Sequence, residues 1–409
     1  MSYRFVFLLT ALCFISCQGP KQKTVVQEEI GISSVLPGQD VLTVDLDSIA
    51  YEKQMPLSAF FKDVRYIPLE TTRESLLGRI NQLCMQGDTI FVLDGVMARS
   101  VLMFRKDGSY IGMVGSRGEG PSEYVAPTDC GIAGNLFYIF DSRKQCILYY
   151  GLPDMKFSHA VTLKQQQNAR SRYIGIDANR IYADVYFPGT SPSYLVQELD
   201  SAATQVVNKW ISKDAYNRGY HSDTYFTGES FFSKTSVGIR FKHLASDSVL
   251  AIGKNGIYPY LSFSYRDRPT SAAVKEHAER SGEKDILKSL TRLGGVHNIQ
   301  HYTEGERFIL FFFSRGNYLN HFIYDKKTQE CRVGIFLHDK VSPKLMDQSV
   351  VPIPVWEDDE NVYFYIHPME VSRFVVMLKS GEIACQPDDK AALSRLDEET
   401  NPVLICYRK

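Results

Sequence analysis

The chain of 409 residues is long enough for one large domain or two ordinary ones, and its 24 Tyr and 24 Phe mark it as globular and aromatic-rich. Lys plus Arg (46) nearly balances Asp plus Glu (47), and no basic stripe stands out. That balance argues against a nucleic-acid partner.

The chain opens with one basic residue, Arg4, and an apolar run from Phe5 to Ile15. The run is too short to span a bilayer comfortably and has the length of a signal-peptide core. It ends at Phe14-Ile15-Ser16-Cys17, which resembles the lipobox of bacterial lipoproteins. Ser16 supplies the small residue before the cut, and Cys17 would carry the lipid. Phe14 stands where Leu is usual, and the competing reading is a plain secretory signal with an incidental cysteine. On either reading the mature protein leaves the cytoplasm. Residues 1–17 are therefore expected to be a lipoprotein signal peptide, and the polar stretch 18–40 a flexible tether. The expected location is the cell envelope, as an outer-membrane lipoprotein facing the periplasm or the surface. Surface-exposed lipoproteins of Bacteroidetes commonly carry an acidic cluster after the lipidated Cys. Here Gln18 to Lys23 is basic, which tilts the expectation towards the periplasm.

Residues 41–409 are organised around one repeating unit. Ile80 to Cys84, Thr89 to Asp94, Val101 to Phe104 and Tyr110 to Val114 read as four short strands, with Lys106-Asp107-Gly108 as a tight turn between the last two. Four strands in an antiparallel meander make one propeller blade. Gly87 to Asp94 matches Gly134 to Asp141 without a gap, and looser copies begin at Asn179, Asp247, Glu306 and Glu360. Six copies leave roughly 55–60 residues per unit, against about 40–45 for a bare blade. The expected fold is thus all-β: a six-bladed β-propeller of four-stranded antiparallel blades with short helical insertions. Val64 to Leu69 and Pro402 to Tyr407 are strands without a local blade, and pairing them would close the ring without unpaired edges. Thr270 to Leu293 is predicted to form two short helices divided at Ser281-Gly282, and Asp388 to Glu399 another.

Three motifs carry a family resemblance: Val64 to Thr72, the Gly-x-Gly-Pro-x-Glu-Tyr exit at 118–124, and Asn401 to Ile405. Together they resemble a largely uncharacterised family of six-bladed β-propeller lipoproteins of Bacteroidetes, distantly similar to NHL-repeat propellers. The resemblance spans residues 41–409. It implies fold and export, with no assured activity.

Propeller geometry sorts candidate residues by face. Second-to-third-strand turns and blade-to-blade connections share one face, which gathers Asp94 to Arg99, Arg117 to Glu123, Asp141 to Lys144, Phe187 to Ser191, Arg315 to Tyr318 and His367 to Met369. Arg99, Arg117, Glu119, Arg143, Arg315 and His367 are the ligand-binding candidates; recurring arginines would suit a carboxylate. The bland alternative is that these charges solvate the face or pair with Glu119 and Glu123. Gly115 to Gly120 lacks the following helix that a phosphate-binding loop needs, because Pro121 follows. His297 and His301 would lie roughly 13 Å apart on a strand, too far to share one ion. Cys84, Cys130, Cys146, Cys331, Cys385 and Cys406 form no C-x-x-C pair and read mostly as buried thiols. No metal, cofactor or catalytic motif is legible. The expected function is a binding or interaction module with a glycan, peptide or protein ligand. The alternative is a polysaccharide lyase or hydrolase working at the central channel, and a His/Tyr/Arg cluster or paired carboxylates in a deep pocket would speak for it.

Overall fold

The structure is a computed structural model. It describes residues 31–37, 40–152, 154–164, 169–177, 180–185, 193–212, 229–283, 285–337, 351–380, 389, 393, 396 and 399–409. Gly31–Lys409 is one compact unit.

Six sheets follow one another in chain order, each a blade whose first strand is innermost. Blade 1 is Gln82–Gln86, Thr89–Asp94, Ser100–Arg105 and Tyr110–Met113; blade 2 is Pro127–Ala133, Leu136–Asp141, Cys146–Gly151 and Phe157–Thr162. Blade 3 is Ile174–Asp177, Arg180–Asp184, Tyr194–Asp200 and Val206–Ser212; blade 4 is Phe232–Thr235, Gly238–Phe241, Ser248–Gly253 and Gly256–Ser264. Blade 5 is Val296–Glu304, Phe308–Arg315, Tyr318–Asp325 and Glu330–Leu337. Second strands such as Thr-Ile-Phe-Val-Leu-Asp bury nearly every side chain, because neighbouring blades cover both faces of each sheet. The fourth repeat copy needs correcting: Ser248–Gly253 is the third strand of blade 4, and the shorter Gly238–Phe241 is the second. The turn signal at Asp247 is the same in either place, and Gly-Ile-Arg-Phe is too short and too polar to announce itself.

Blade 6 closes the ring. Ile353–Glu357 and Asn361–Ile366 are followed by Val403–Arg408, which pairs antiparallel with Val64–Pro68 in the register Val403↔Pro68 to Tyr407↔Val64. The seam is held by Asn401, fully buried. Its Oδ1 accepts from the Leu77 amide at 2.8 Å, and its Nδ2 donates to the carbonyls of Glu70 and Ser75 at 2.9 and 2.8 Å. Its own amide donates to Thr71 Oγ1 at 2.9 Å. Gly108 lets blade 1 approach the same seam: at φ 91° it sits where a Cβ would fall 2.2 Å from the Pro68 carbonyl oxygen.

The expectation of four strands per blade holds for blades 1, 2 and 6; blades 3, 4 and 5 have five. The fifth strands come from the N-terminal side of the body. Ile32–Ser33, Leu42–Asp45 and Tyr51–Pro56 each pair in parallel with the outer edge of blades 3, 4 and 5 respectively. Ile32–Ser33 belongs to the stretch expected as tether. A belt therefore crosses three blade edges before the chain enters blade 6, burying Val44, Leu46, Met55 and Leu57.

Three short helices complete the described residues. Helices α1 (Ser271–Ser281) and α2 (Ile286–Arg292) lie between blades 4 and 5, capped by Thr270 and Asp285 and separated at Gly282, whose φ of 65° ends α1. Helix α3 (Pro368–Lys379) follows the second strand of blade 6, with His367 as its N-cap. It is not among the helices expected from the sequence, although Val371, Phe374, Val375 and Leu378 stand at helical spacing. The helix expected at Asp388 to Glu399 lies mostly outside the described residues.

Candidate functional site

The central channel is polar, and its charges are arranged in layers. In the inner wall Asp129, fully buried, pairs with Lys234 and accepts from Gln82 Nε2 (2.7 Å), Ser230 Oγ (2.8 Å) and the Ile174 amide (2.9 Å). Towards the face bearing the first-to-second-strand turns, Glu304 gathers Arg240 (2.8 Å), Lys326 (2.6 Å), Tyr260 (2.5 Å) and Tyr302 (2.9 Å). In both networks the buried carboxylate is paired and hydrogen-bonded, as a buried charge must be; Asp129 has one cation, and Glu304 is shared by two.

The opposite mouth is different. A cavity of about 340 Å³ there is lined by Arg79, Glu229, Lys242, His301, Asn298 and Gln300, with apolar walls from blades 4 and 5 and from Leu287 of α2. Glu229 pairs with Lys242 at 3.2 Å and accepts the His301 amide at 2.8 Å. Glu229 and His301 also line a smaller cavity of about 60 Å³ along the channel, where Tyr365 joins them. Burial would raise the Glu229 carboxyl, but Lys242 and His301 hold it below its ordinary range. Burial pushes the His301 imidazole down, and Lys242, Arg79 and His367 push it further, against Glu229. Burial and Arg79 also lower His367, while burial raises the Tyr365 phenol. Near neutral pH the two imidazoles are uncharged and the phenol keeps its proton.

Local backbone devices place these groups. The first strand of blade 5 carries two irregularities in its pairing, between His297 and Gln300 and between Gln300 and Thr303, with φ of 54° at both Asn298 and His301. Positive φ in such residues costs free energy and, with bulges, re-aims side chains at a site. His297 turns away into contacts with Thr291 Oγ1 (3.1 Å) and the Gly295 carbonyl (3.0 Å), whereas His301 goes to the mouth. Arg79 is set by Asp94, whose Oδ2 accepts the amides of Gly78 (2.8 Å) and Arg79 (3.3 Å) and whose Oδ1 holds Val96 and Met97. The device repeats. Asp141 takes the amides of Val125, Ala126, Arg143 and Lys144, and Asp184 those of Arg172 and Tyr173. Each carboxylate at the end of a second strand pins the connection entering its own blade.

The six residues proposed from sequence do not converge. Arg99, Arg117, Glu119 and Arg143 are exposed on that face outside the mouth. Arg117 donates to the Ala98 carbonyl at 3.2 Å. Arg315 lies over the Tyr265 ring and 3.7 Å from Asp47 of the belt, a contact that ties belt to blade. His367 alone is within electrostatic reach of the mouth, through Arg79 and His301. Phe187 to Ser191 and Cys17 lie outside the described residues. The glycine-rich exit of blade 1 wraps a cation: Lys144 Nζ donates to the carbonyls of Gly118, Gly120 and Glu123 at 3.1, 2.8 and 2.7 Å. Among the described residues no cluster of His, Cys, Asp or Glu is placed to hold a metal ion, and no helix is long and apolar enough to cross a membrane. Cys84, Cys130 and Cys406 are buried thiols and Cys146 and Cys331 half-buried ones; Cys385 lies outside the described residues.

Sheet order, closure and channel define a six-bladed β-propeller. The model of a family described as a domain of unknown function, DUF4934, matches residues 41–408, and the chain belongs to that family. No curated protein matches. Among solved structures, a Bacteroides fragilis protein described as exported is similar over 90% of this chain and 99% of its own, with 16% identity and a TM-score of 0.68. Hydrazine synthase of Kuenenia stuttgartiensis aligns over 79% of this chain and 84% of its own at 10% identity and a TM-score of 0.37, too distant to carry an argument.

Proposed function

We propose that this protein is an exported, lipid-anchored propeller of the cell envelope that acts as a binding module, receiving a glycan, peptide or protein ligand at the mouth of its channel. The observation that carries the reading is the mouth itself: a cavity of about 340 Å³ with two cations and one carboxylate beside the strands of blades 1 and 4, while Lys234 is paired with Asp129, and Arg240 and Lys326 with Glu304. Loops and strand ends around a propeller channel are where this scaffold presents ligand sites. Export and anchoring rest on the apolar run Phe5 to Ile15 and on Ser16-Cys17. In this reading residues 1–17 are the signal, and the lipid sits on Cys17. A lipid chain contributes about 0.8 kcal/mol per buried CH₂, far more than a polar segment. Cys17→Ala should therefore move the protein from the membrane to the soluble fraction. Unchanged fractionation, with no incorporation of labelled fatty acid, counts against the anchor.

One observation favours a second reading. His301 lies between Arg79 at the mouth and Tyr365 in the smaller cavity behind it, with Arg79 in electrostatic reach of both, the grouping expected of a propeller lyase or hydrolase. Incubating the purified protein with host and dietary polysaccharides separates the two: retention of a glycan without cleavage supports the binding module, and release of product supports the enzyme.

A further inference from the structure

We propose that the mouth cavity takes a small polyhydroxylated carboxylate, of the size of a single sugar acid, with its carboxylate on the Arg79 guanidinium. This rests on the mouth being the binding site and names the ligand class.

The argument starts from charge. Among the described residues the other cations at the two cavities each have an acid, Lys234 in Asp129 and Lys242 in Glu229, and deeper between blades 4 and 5 Arg240 and Lys326 share Glu304. Arg79 is half-buried and makes no ion pair or side-chain hydrogen bond among the described residues. Its main chain is already fixed by Asp94, so a ligand would order little beyond the side chain. A planar guanidinium in that setting matches a carboxylate through two parallel hydrogen bonds. His301 and His367, uncharged near neutral pH, add no competing cation, and the Glu229 carboxylate opposes a second negative charge on the ligand.

The rest of the lining describes the remainder of the molecule. Asn298 and Gln300 offer amide donors and acceptors to hydroxyl groups. Phe231, Leu244 and Ile299 give an apolar wall against which the C–H face of a ring can lie. The volume is at the lower end of small-molecule pockets, about 300–1,000 Å³, which suits one ring better than a chain.

The test is isothermal titration of the detergent-solubilised full chain with D-glucuronate, D-glucose and inorganic phosphate. It uses the wild type, Arg79→Ala, Arg79→Lys, His301→Ala and, as a control outside the mouth, Arg143→Ala, each checked for an unshifted unfolding midpoint. Glucuronate should bind about tenfold or more tightly than glucose, the preference should vanish in Arg79→Ala and return in part in Arg79→Lys, and Arg143→Ala should match the wild type. If both sugars bind equally and both are lost in His301→Ala, the mouth stands and the carboxylate assignment falls. If phosphate binds more tightly than glucuronate, or glucuronate gives no heat, the assignment falls too. If glucuronate binds and neither Arg79→Ala nor His301→Ala weakens it, the assignment and the mouth fall together.

Discussion

Asn401 shows what a single residue does at the seam. Its side chain makes three hydrogen bonds to backbone groups of residues 70–77 from a fully buried position, so a truncation strands buried donors and acceptors. Each such group costs about 1–3 kcal/mol. Asn401→Ala should therefore destabilise the protein by about 3 kcal/mol or more, read by urea unfolding, and a change below about 1 kcal/mol would contradict this role. His321 offers a second test. It is 1% exposed, stacks on Phe312 with centroids 3.9 Å apart, and accepts the Phe336 amide at Nδ1 at 2.9 Å. Burial, with a smaller push from His301, takes its pKa down to about 3. An unfolded imidazole titrates near about 6.5, so between about pH 6.5 and 3 the unfolded chain binds a proton that the folded one does not. Stability should fall with pH across that window, by up to about 1.4 kcal/mol per unit. His321→Gln, which keeps an acceptor, should flatten the acid limb of a stability–pH curve; an unaltered slope would show that other groups dominate it. Residues of the three motifs were legible in sequence because they fix backbone: Asn401 and Thr71 at the seam, and Glu123 and Tyr124 in the loop leaving blade 1, where Lys144 donates to the Glu123 carbonyl and Tyr124 to that of Val114. Arg79 was not legible, since its place depends on a carboxylate fifteen positions away in the second strand.

At the level of elements, the belt is the part that sequence reasoning missed. Leu42–Asp45 and Ile32–Ser33 are short, and Tyr51–Pro56 buries one side chain fully, so no periodic signal marks them. They are strands because open blade edges offer unpaired backbone groups, a tertiary cause that lies outside the local sequence. Burying Val44, Leu46, Met55 and Leu57 is worth about 1.5–3 kcal/mol each. Deleting residues 31–56 should lower the thermal midpoint markedly and raise protease sensitivity at blades 3 to 5. A deletion that unfolds at the wild-type temperature would make the belt dispensable. The helices divide differently: α1 and α2 were legible from their spacing and Gly282, whereas α3 was missed although Val371, Phe374, Val375 and Leu378 stand at helical spacing and are buried, because the strand Asn361–Ile366 runs straight into it.

The whole molecule was legible as a ring, because six turn-and-strand units and two orphan strands admit one economical closure. The mouth was not, because its parts come from three blades: Arg79 enters blade 1, Glu229 and Lys242 flank strands of blade 4 and His301 belongs to blade 5, with Tyr365 of blade 6 in the cavity behind. Face assignment by loop type drew its candidates from exposed turns, whereas the groups lining the mouth lie on the first strand of blade 5 and in the segments that flank strands of blades 1 and 4.

The contrast between mouth and outer face gives the most direct test of the account. A glycan and peptide array probed with the wild type, Arg79→Ala, His301→Ala, and Arg99→Ala combined with Arg143→Ala compares the two surfaces on folded proteins. Loss of the wild-type signal in both mouth variants, with the double outer-face variant unchanged, is the predicted result. Signal that survives both mouth substitutions and disappears in the outer-face variant would contradict the account.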